Sequence, residues 1–284
     1  MPAFQIRETS AKSVLSPTSG FLKDAGFTHS LTPARNCTYG CTYCYVPTMK
    51  IYGGLQPEDW KRWGQFTTLK TNTAQLLEKS LKAAHVIYCS PLVDPYQPAE
   101  REQPLMPGIL QTVLNHPPAV FVIQTRGLLI LRDVTLLLRL SEVTKLRISI
   151  SITTDRDDVR RRYEPHCEPI EQRLQAIGAL RSLGLEVYAT LAPLLPCHPE
   201  HLARLALEAS ARDLIGDPLH IRSTKPYGAT TREAAMAIAE RHCETEWFAP
   251  DFQAKAVGKI MEVAGQFGRE FNVGPVGFSR LALR

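Results

Sequence analysis

Six short apolar runs rich in β-branched residues recur along the chain, and between them the apolar positions switch to helical spacing. The runs cover 28–34, 85–89, 119–125, 146–152, 187–192 and 219–223. Asn72 and Thr73 can cap a helix whose Leu76, Leu77, Ser80 and Leu81 share one face. Ile170, Leu174, Ile177 and Leu180 repeat at helical spacing, and Gly184 stops that helix before the next strand. Further helices are expected over 232–242 and 255–267. Buried β-branched strands separated by amphipathic helices require a parallel sheet joined by right-handed crossovers. The fold class predicted is therefore α/β, with six βα units forming a partial (β/α)6 barrel over 27–231. Residues 1–26, rich in Ser and Thr, read as a loosely structured N-terminal extension, and 232–284 as a helical C-terminal segment packed on the barrel.

A chain of 284 residues suits one such domain, and 44% hydrophobic residues suffice for a full core. The start of the sequence has no basic stretch leading into an apolar block, and the most apolar region, 128–140, is interrupted by Arg132, Asp133 and Arg139. Neither a secretory signal nor a bilayer span is expected, which excludes a membrane partner. Seven cysteines without a secretion signal point to a reducing, cytoplasmic compartment where thiolates stay free for metal. The net charge of +5 favours anionic partners without identifying nucleic acid. The densest basic run, 156–162, contains Asp157 and Asp158 and reads as a solvated helix start.

Chemistry concentrates in the run Asn36-Cys37-Thr38-Tyr39-Gly40-Cys41-Thr42-Tyr43-Cys44-Tyr45, whose cysteines are spaced C-x-x-x-C-x-x-C. Three thiolates on one loop can hold three corners of a 4Fe–4S cube, and the next cysteine is as distant as Cys89. An iron left without a protein ligand can take a substrate or cofactor, as a catalytic zinc does at its vacant position. Structural zinc usually has two knuckle pairs instead.

This spacing, with the aromatic Tyr43 before the last cysteine, resembles the cluster loop of radical S-adenosylmethionine (SAM) enzymes. Four later blocks resemble the spore photoproduct lyase-like group of that superfamily. The segment Asp94-Pro95-Tyr96-Gln97-Pro98-Ala99-Glu100 is similar to its D-P-Y-Q-P-x-E stretch. Thr125-Arg126 with Arg132-Asp133 resembles its T-K-x-x-x-x-x-R-D stretch. Ser151-Ile152-Thr153-Thr154, Glu164-Pro165 and Arg173-Leu174 follow its S-x-T-T, E-P and R-L pattern, and Ala192-Pro193-Leu194-Leu195-Pro196 its A-P-x-x-P. Blocks in this order up to about residue 200 are harder to reach by chance than one motif. Beyond that point no comparable match is seen.

The resemblance implies a partial barrel of the radical SAM type, with the reactive face at the carboxyl ends of the strands. It implies a 4Fe–4S cluster on Cys37, Cys41 and Cys44, SAM on the open iron, and an electron donor such as flavodoxin or ferredoxin. An electron passing through the cluster would cleave SAM to methionine and a 5′-deoxyadenosyl radical that abstracts hydrogen from substrate. Tyr43 would lie against the adenine. Ser90 is placed to bond the amino acid part, and Arg126 could pair with its carboxylate. Ser149 and Ser151 alternate with Ile148, Ile150 and Ile152, so both hydroxyls face one side of the fourth strand. Two departures are visible: the G-G-E stretch of many radical SAM enzymes is absent, and Arg126 stands where the lyase-like group has lysine.

Asp94, Tyr96, Gln97 and Glu100 lie on a loop stiffened by Pro95 and Pro98, suited either to SAM or substrate recognition or to a turn with helix capping. Cys89, at the end of the second strand, is the candidate catalytic residue, because spore photoproduct lyase uses a cysteine in this region to return hydrogen to a product radical. The competing expectation for Cys89 is a small core hydrophobe. Cys197, His198 and His201 read as a loop and helix start rather than a second metal site, His166-Cys167 as a still weaker ligand pair, and Cys243 as packed against its helix. The function expected is a radical SAM enzyme, with the namesake's DNA lesion among the substrates the resemblance admits. The alternative is a nucleic-acid-binding protein with a structural Fe–S or zinc site.

Overall fold

The structure, a computed structural model, describes residues 4–48, 57–222 and 230–284. Its strands are β1 (Gln5–Thr9), β2 (Leu15–Pro17), β3 (His29–Leu31), β4 (Ala34–Arg35), β5 (Phe66–Lys70), β6 (Val86–Cys89), β7 (Val120–Thr125), β8 (Lys145–Ser151), β9 (Val187–Leu191), β10 (Leu214–Gly216) and β11 (Phe271–Val273). The helices are α1 (Gly20–Asp24), α2 (Pro57–Lys61), α3 (Thr73–Ser80), α4 (Met106–Asn115), α5 (Val134–Ser141), α6 (Asp157–Tyr163), α7 (Ile170–Ser182), α8 (Pro199–Ser210), α9 (Glu233–Arg241), α10 (Pro250–Gln266) and α11 (Gly274–Ala282).

The main sheet runs in the order β2-β3-β6-β7-β8-β9-β10-β11. From β3 to β11 every neighbouring pair is parallel, and only β2 is antiparallel. Strands laid side by side in chain order with helices between them are the winding expected of successive βα units. The α/β architecture predicted for the chain is therefore present. A separate sheet, β1-β5-β4, carries the chain from the first parallel strand to the cysteine loop.

Two expected strands differ. The run 28–34 divides into β3 and β4, which belong to different sheets, because Pro33 between them has no amide hydrogen for a ladder. The sixth parallel strand is β10 rather than 219–223, whose last residue lies outside the described ones. Pro218 cannot continue the ladder beyond Asp217, and the Leu219 amide instead donates to Gln253 Oε1 at 3.3 Å.

The first 26 residues are more ordered than their composition suggests. β1 pairs with β5 in the register Gln5↔Phe66 to Thr9↔Lys70, and the Arg7 guanidinium covers the Phe66 ring at 4.1 Å. Asn72 gives its side chain to the same segment, accepting from the Ala11 amide and donating to its carbonyl, both at 2.9 Å, instead of capping α3. The C-terminal segment is not purely helical either, since β11 extends the main sheet at its far edge.

Alternation along the central strands separates two faces. Ile87, Cys89, Phe121, Ile123, Ile148 and Ile150 are buried against the outer helices. Val86, Tyr88, Val120 and Val122 point to the other face, where α11 packs Phe278 and Leu281 onto them. Arg147 fastens α11 there, donating to the carbonyls of Leu281 at 2.9 Å and Leu283 at 2.6 Å. Apolar near its amino end, this inner face turns polar toward the carboxyl ends of the strands, where Gln124, Ser149, Ser151 and Thr190 meet.

Candidate active site

The three cysteines occupy the loop that follows β4. Gly40 adopts φ +61°, and a Cβ there would meet the Gly64 Cα at 3.1 Å, so the loop rests backbone to backbone on Gly64. Two tight turns shape it: the Gly40 amide donates to the Cys37 carbonyl and the Cys44 amide to the Cys41 carbonyl, each at 3.2 Å. Cys37 and Cys41 are buried and Cys44 is half-buried. Among the described residues, no three His, Cys, Asp or Glu side chains already stand as a metal-binding group. The Cys41 thiol instead faces Cys167, Sγ to Sγ 3.8 Å.

The proline-stiffened segment anchors this loop. Gln97 Oε1 accepts from the Thr38 amide at 2.8 Å and its hydroxyl at 3.1 Å. The Tyr39 hydroxyl donates to the Tyr96 carbonyl at 3.1 Å. Asp94 ties the segment to the end of β7, accepting from the Tyr96 amide (2.9 Å), the Thr125 hydroxyl (2.6 Å) and the Arg126 amide (2.8 Å). Burial raises its carboxyl above the ordinary aspartate value. Glu100 satisfies the Leu105 and Met106 amides at the start of α4, at 2.9 and 2.8 Å, and pairs with Arg132 at 3.0 Å. Through these contacts the loop tethers the cysteine loop and caps α4.

Arg126 leaves the carboxyl end of β7 and reaches the cysteine loop. Its Nη1 donates to Glu164 Oε1 at 2.8 Å, to Cys41 Sγ at 3.4 Å and to the Tyr43 hydroxyl. Tyr43 donates its own hydroxyl to Glu164 Oε1 at 2.5 Å. The fully buried Glu164 also accepts from Thr153 at 2.9 Å and, through Oε2, from Arg173 at 2.6 Å. Burial alone would raise this carboxyl, but Arg173 and Arg126 outweigh it and hold it at about 2. The sequence singled out neither Glu164 nor Arg173 as a site residue, although both lie in recognised blocks. Those blocks, Glu164-Pro165 and Arg173-Leu174, were the signal available in the sequence; their full burial appears only in the structure.

Ser90 follows β6, and its hydroxyl is buried with no hydrogen-bond partner among the described residues. A buried hydroxyl left unpaired is costly, so Ser90 is suited to a ligand at this mouth. Ser149 and Ser151 do share one face, as alternation predicts, but their partners are side chains of neighbouring strands. Ser149 donates to Gln124 Oε1 at 2.7 Å and meets the Thr190 hydroxyl, and Gln124 Nε2 donates to Ser151 at 2.9 Å. Cys89 is fully buried in the helix-side core, which raises its thiol pKa, with its β-carbon directed away from that polar face.

Outside the loop, His198 and His201 both turn Nδ1 to Asp155 Oδ2, at 2.9 and 2.7 Å, and Cys197 is buried. Cys243 does not pack against α9: the helix ends at Arg241, and Cys243 is exposed at φ +55°. The basic run is consumed in ion pairs, Arg156 with Asp158 at 2.8 Å, Arg160 with Asp157 at 2.9 Å and Arg162 with Glu244 at 2.9 Å. A cleft of about 400 Å³ opens beside the cysteine loop, lined by Pro47, Arg222, Thr230, Thr231 and Arg232. No helix among the described residues is long and apolar enough to cross a membrane.

The family model of the radical SAM superfamily matches residues 31–207. An uncharacterized protein of Mycobacterium bovis is 26% identical over 208 residues, 70% of this chain and 60% of the relative. An uncharacterized protein of Methanocaldococcus jannaschii is 28% identical over 194 residues, 68% of each chain. The chain thus spans about 60% of the length of the mycobacterial relatives it matches. Spore photoproduct lyase complexed with a dinucleoside spore photoproduct superimposes with a TM-score of 0.62 at 15% identity, covering 94% of this chain and 81% of the lyase. A mutant of that lyase gives the same TM-score at 14% identity. At such identities the likeness is one of fold. The residues at the mouth suit the superfamily's cofactors, a 4Fe–4S cluster and SAM: three thiols on one tethered loop, an arginine beside them, and the unpaired Ser90 hydroxyl. Matched over more than half its length, through the cysteine loop and β3 to α8, the chain belongs to the radical SAM superfamily, with a fold like that of spore photoproduct lyase.

Proposed function

We propose that this chain is a hydrogen-abstracting radical SAM enzyme with its cluster on Cys37, Cys41 and Cys44 and its SAM pocket at the carboxyl ends of β6, β7 and β8. The observation that carries the reading is the buried cysteine loop, tethered by Gln97 and flanked by Arg126, beside the unpaired Ser90 hydroxyl. When bound, the cluster supplies the electron that cleaves SAM and so yields the radical that takes hydrogen from substrate.

The chain's own residues hold and orient. The three thiols leave one iron for SAM, and Ser90 offers its amino acid part a hydroxyl. Glu164, which Arg173 shares, and Asp94 at 3.8 Å pair with Arg126 in the resting site, so an arriving carboxylate must compete with them for the guanidinium. Tyr43, anchored through its hydroxyl, offers its ring to the adenine. The fully buried Glu164–Arg173 pair and the apolar residues around the loop limit water. An electron donor such as flavodoxin or ferredoxin provides the reducing equivalent. A nucleic-acid lesion as substrate finds support in the likeness of fold to a lyase solved with a dinucleoside photoproduct. The pairing of the 156–162 arginines with carboxylates argues against that run as a phosphate-binding face.

Anaerobic reconstitution with iron and sulfide, then SAM and dithionite, tests the reading. Formation of 5′-deoxyadenosine is expected, with stimulation by the true substrate when oligonucleotides carrying photoproducts are compared with undamaged ones. A reconstituted protein that binds oligonucleotide but never cleaves SAM would instead support a binding module with a structural site.

A further inference from the structure

We propose that Cys41 and Cys167 form a reversible disulfide in the cluster-free protein, a thiol switch that decides whether the loop accepts iron. The proposal rests on the reading of Cys41 as a cluster ligand. Their sulfurs already face each other at 3.8 Å, on segments far apart in sequence. Both segments are pinned by hydrogen bonds to their backbone. The Thr42 amide donates to the Tyr163 carbonyl at 2.9 Å, fixing the cysteine loop to the end of α6. The Cys167 amide donates to the Glu164 carbonyl at 3.1 Å, and the Cys167 carbonyl accepts from Arg160 at 3.0 Å. Closing the gap to a sulfur–sulfur bond of about 2 Å asks the two side chains to turn toward each other.

Access comes from the Cys167 side. Cys167 lines a cavity of about 220 Å³ together with Phe4, Leu129, Pro165, His166 and Glu168. A low-molecular-mass disulfide entering there meets Cys167 first. The Cys167 thiolate attacks it, forming a mixed disulfide and releasing one small thiol. The Cys41 thiolate then attacks the Cys167 sulfur and releases the second. The two cysteines give up two electrons and two protons, and the small disulfide takes up both to become two thiols. A dithiol reverses the exchange. In the oxidised chain the Cys41 sulfur has no lone thiolate to give to iron, so cluster loading and the disulfide exclude each other.

The test uses full-length, cluster-free protein treated with hydroxyethyl disulfide and then freed of it. Non-reducing peptide mapping is expected to find Cys41 joined to Cys167, and the oxidised protein to take up iron and sulfide only at background level until dithiothreitol is added. Cys167→Ala and Cys167→Ser, two variants guarding against a folding defect in either, should give no linked peptide and should load after the same treatment without dithiothreitol. Absence of the Cys41–Cys167 peptide from the wild type, or equal resistance to loading in both variants, overturns the switch. If reduced wild type takes up no iron, the cluster reading fails, while the linked peptide still decides the disulfide.

Discussion

Arg126 Nη1 lies 2.8 Å from Glu164 Oε1, joining the end of the third parallel strand to the turn after α6 directly beneath the cysteine loop. This contact makes one unit of residues that lie in separate blocks of sequence. Tyr43 and Arg173 bond the same carboxylate, so the loop's aromatic residue is positioned by groups over a hundred residues away.

Replacing Cys37, Cys41 or Cys44 by alanine should each abolish an oxygen-sensitive 4Fe–4S cluster, while Cys243→Ala, on an exposed residue away from the loop, should leave it intact. Iron and sulfide analysis with absorption spectra after anaerobic reconstitution checks this. Wild-type iron in any of the three loop variants would remove that cysteine from the ligand set.

Glu164→Gln should destabilise the protein by about 3–5 kcal/mol, the usual loss when one partner of a buried ion pair is removed, because Arg173 stays fully buried without its counter-charge. Urea denaturation of the two proteins at neutral pH measures it. A shift below about 1 kcal/mol, the scale of an exposed pair, would mean that the burial is relieved in solution.

The same carboxylate predicts a pH dependence. Its folded value is depressed from 4.5 to about 2, so its stabilisation is complete above the unfolded value and disappears as pH falls through the folded one. The difference corresponds to about 3 kcal/mol at neutral pH. The stability gap between wild type and Glu164→Gln should therefore narrow as pH drops from about 5 to about 2. A gap that stays constant over that range would contradict the assignment.

Ser90→Ala should leave the cluster-free protein as stable as wild type or slightly more so, since the lost hydroxyl is buried and unpaired. Its affinity for SAM should fall by about 1–3 kcal/mol, and that of Arg126→Ala by about 2–5 kcal/mol. Equilibrium binding of SAM to reconstituted protein separates these from wild type. Full affinity in both variants, with clusters intact, would move the pocket elsewhere.

Cys89, fully buried with its thiol pKa raised, should resist alkylation in the native cluster-free protein while exposed Cys243 reacts first. Mass spectrometry of trapped peptides reads the order. Early labelling of Cys89 would favour the hydrogen-donor role, which a wrong adduct from Cys89→Ala would then establish once a substrate is known.

The parallel α/β winding was legible in the residues alone, because a period of two in buried β-branched runs and a helical period between them admit few other arrangements. The cysteine loop was legible too, because its three thiols are local and need only spacing to be recognised. Pairing decided the rest. The polar strand β1 earns its place through β5, and β10 displaced the expected 219–223 because Pro218 and the partner edge outweigh apolar composition. Asp94 and Glu100 became tethers because amides distant or downstream in the chain converge on them. Glu164, Arg173 and Cys167 reached the site only through long-range packing, which no local period encodes: opposite charges 2.6 Å apart in a dry interior, and two thiols brought face to face across 126 residues.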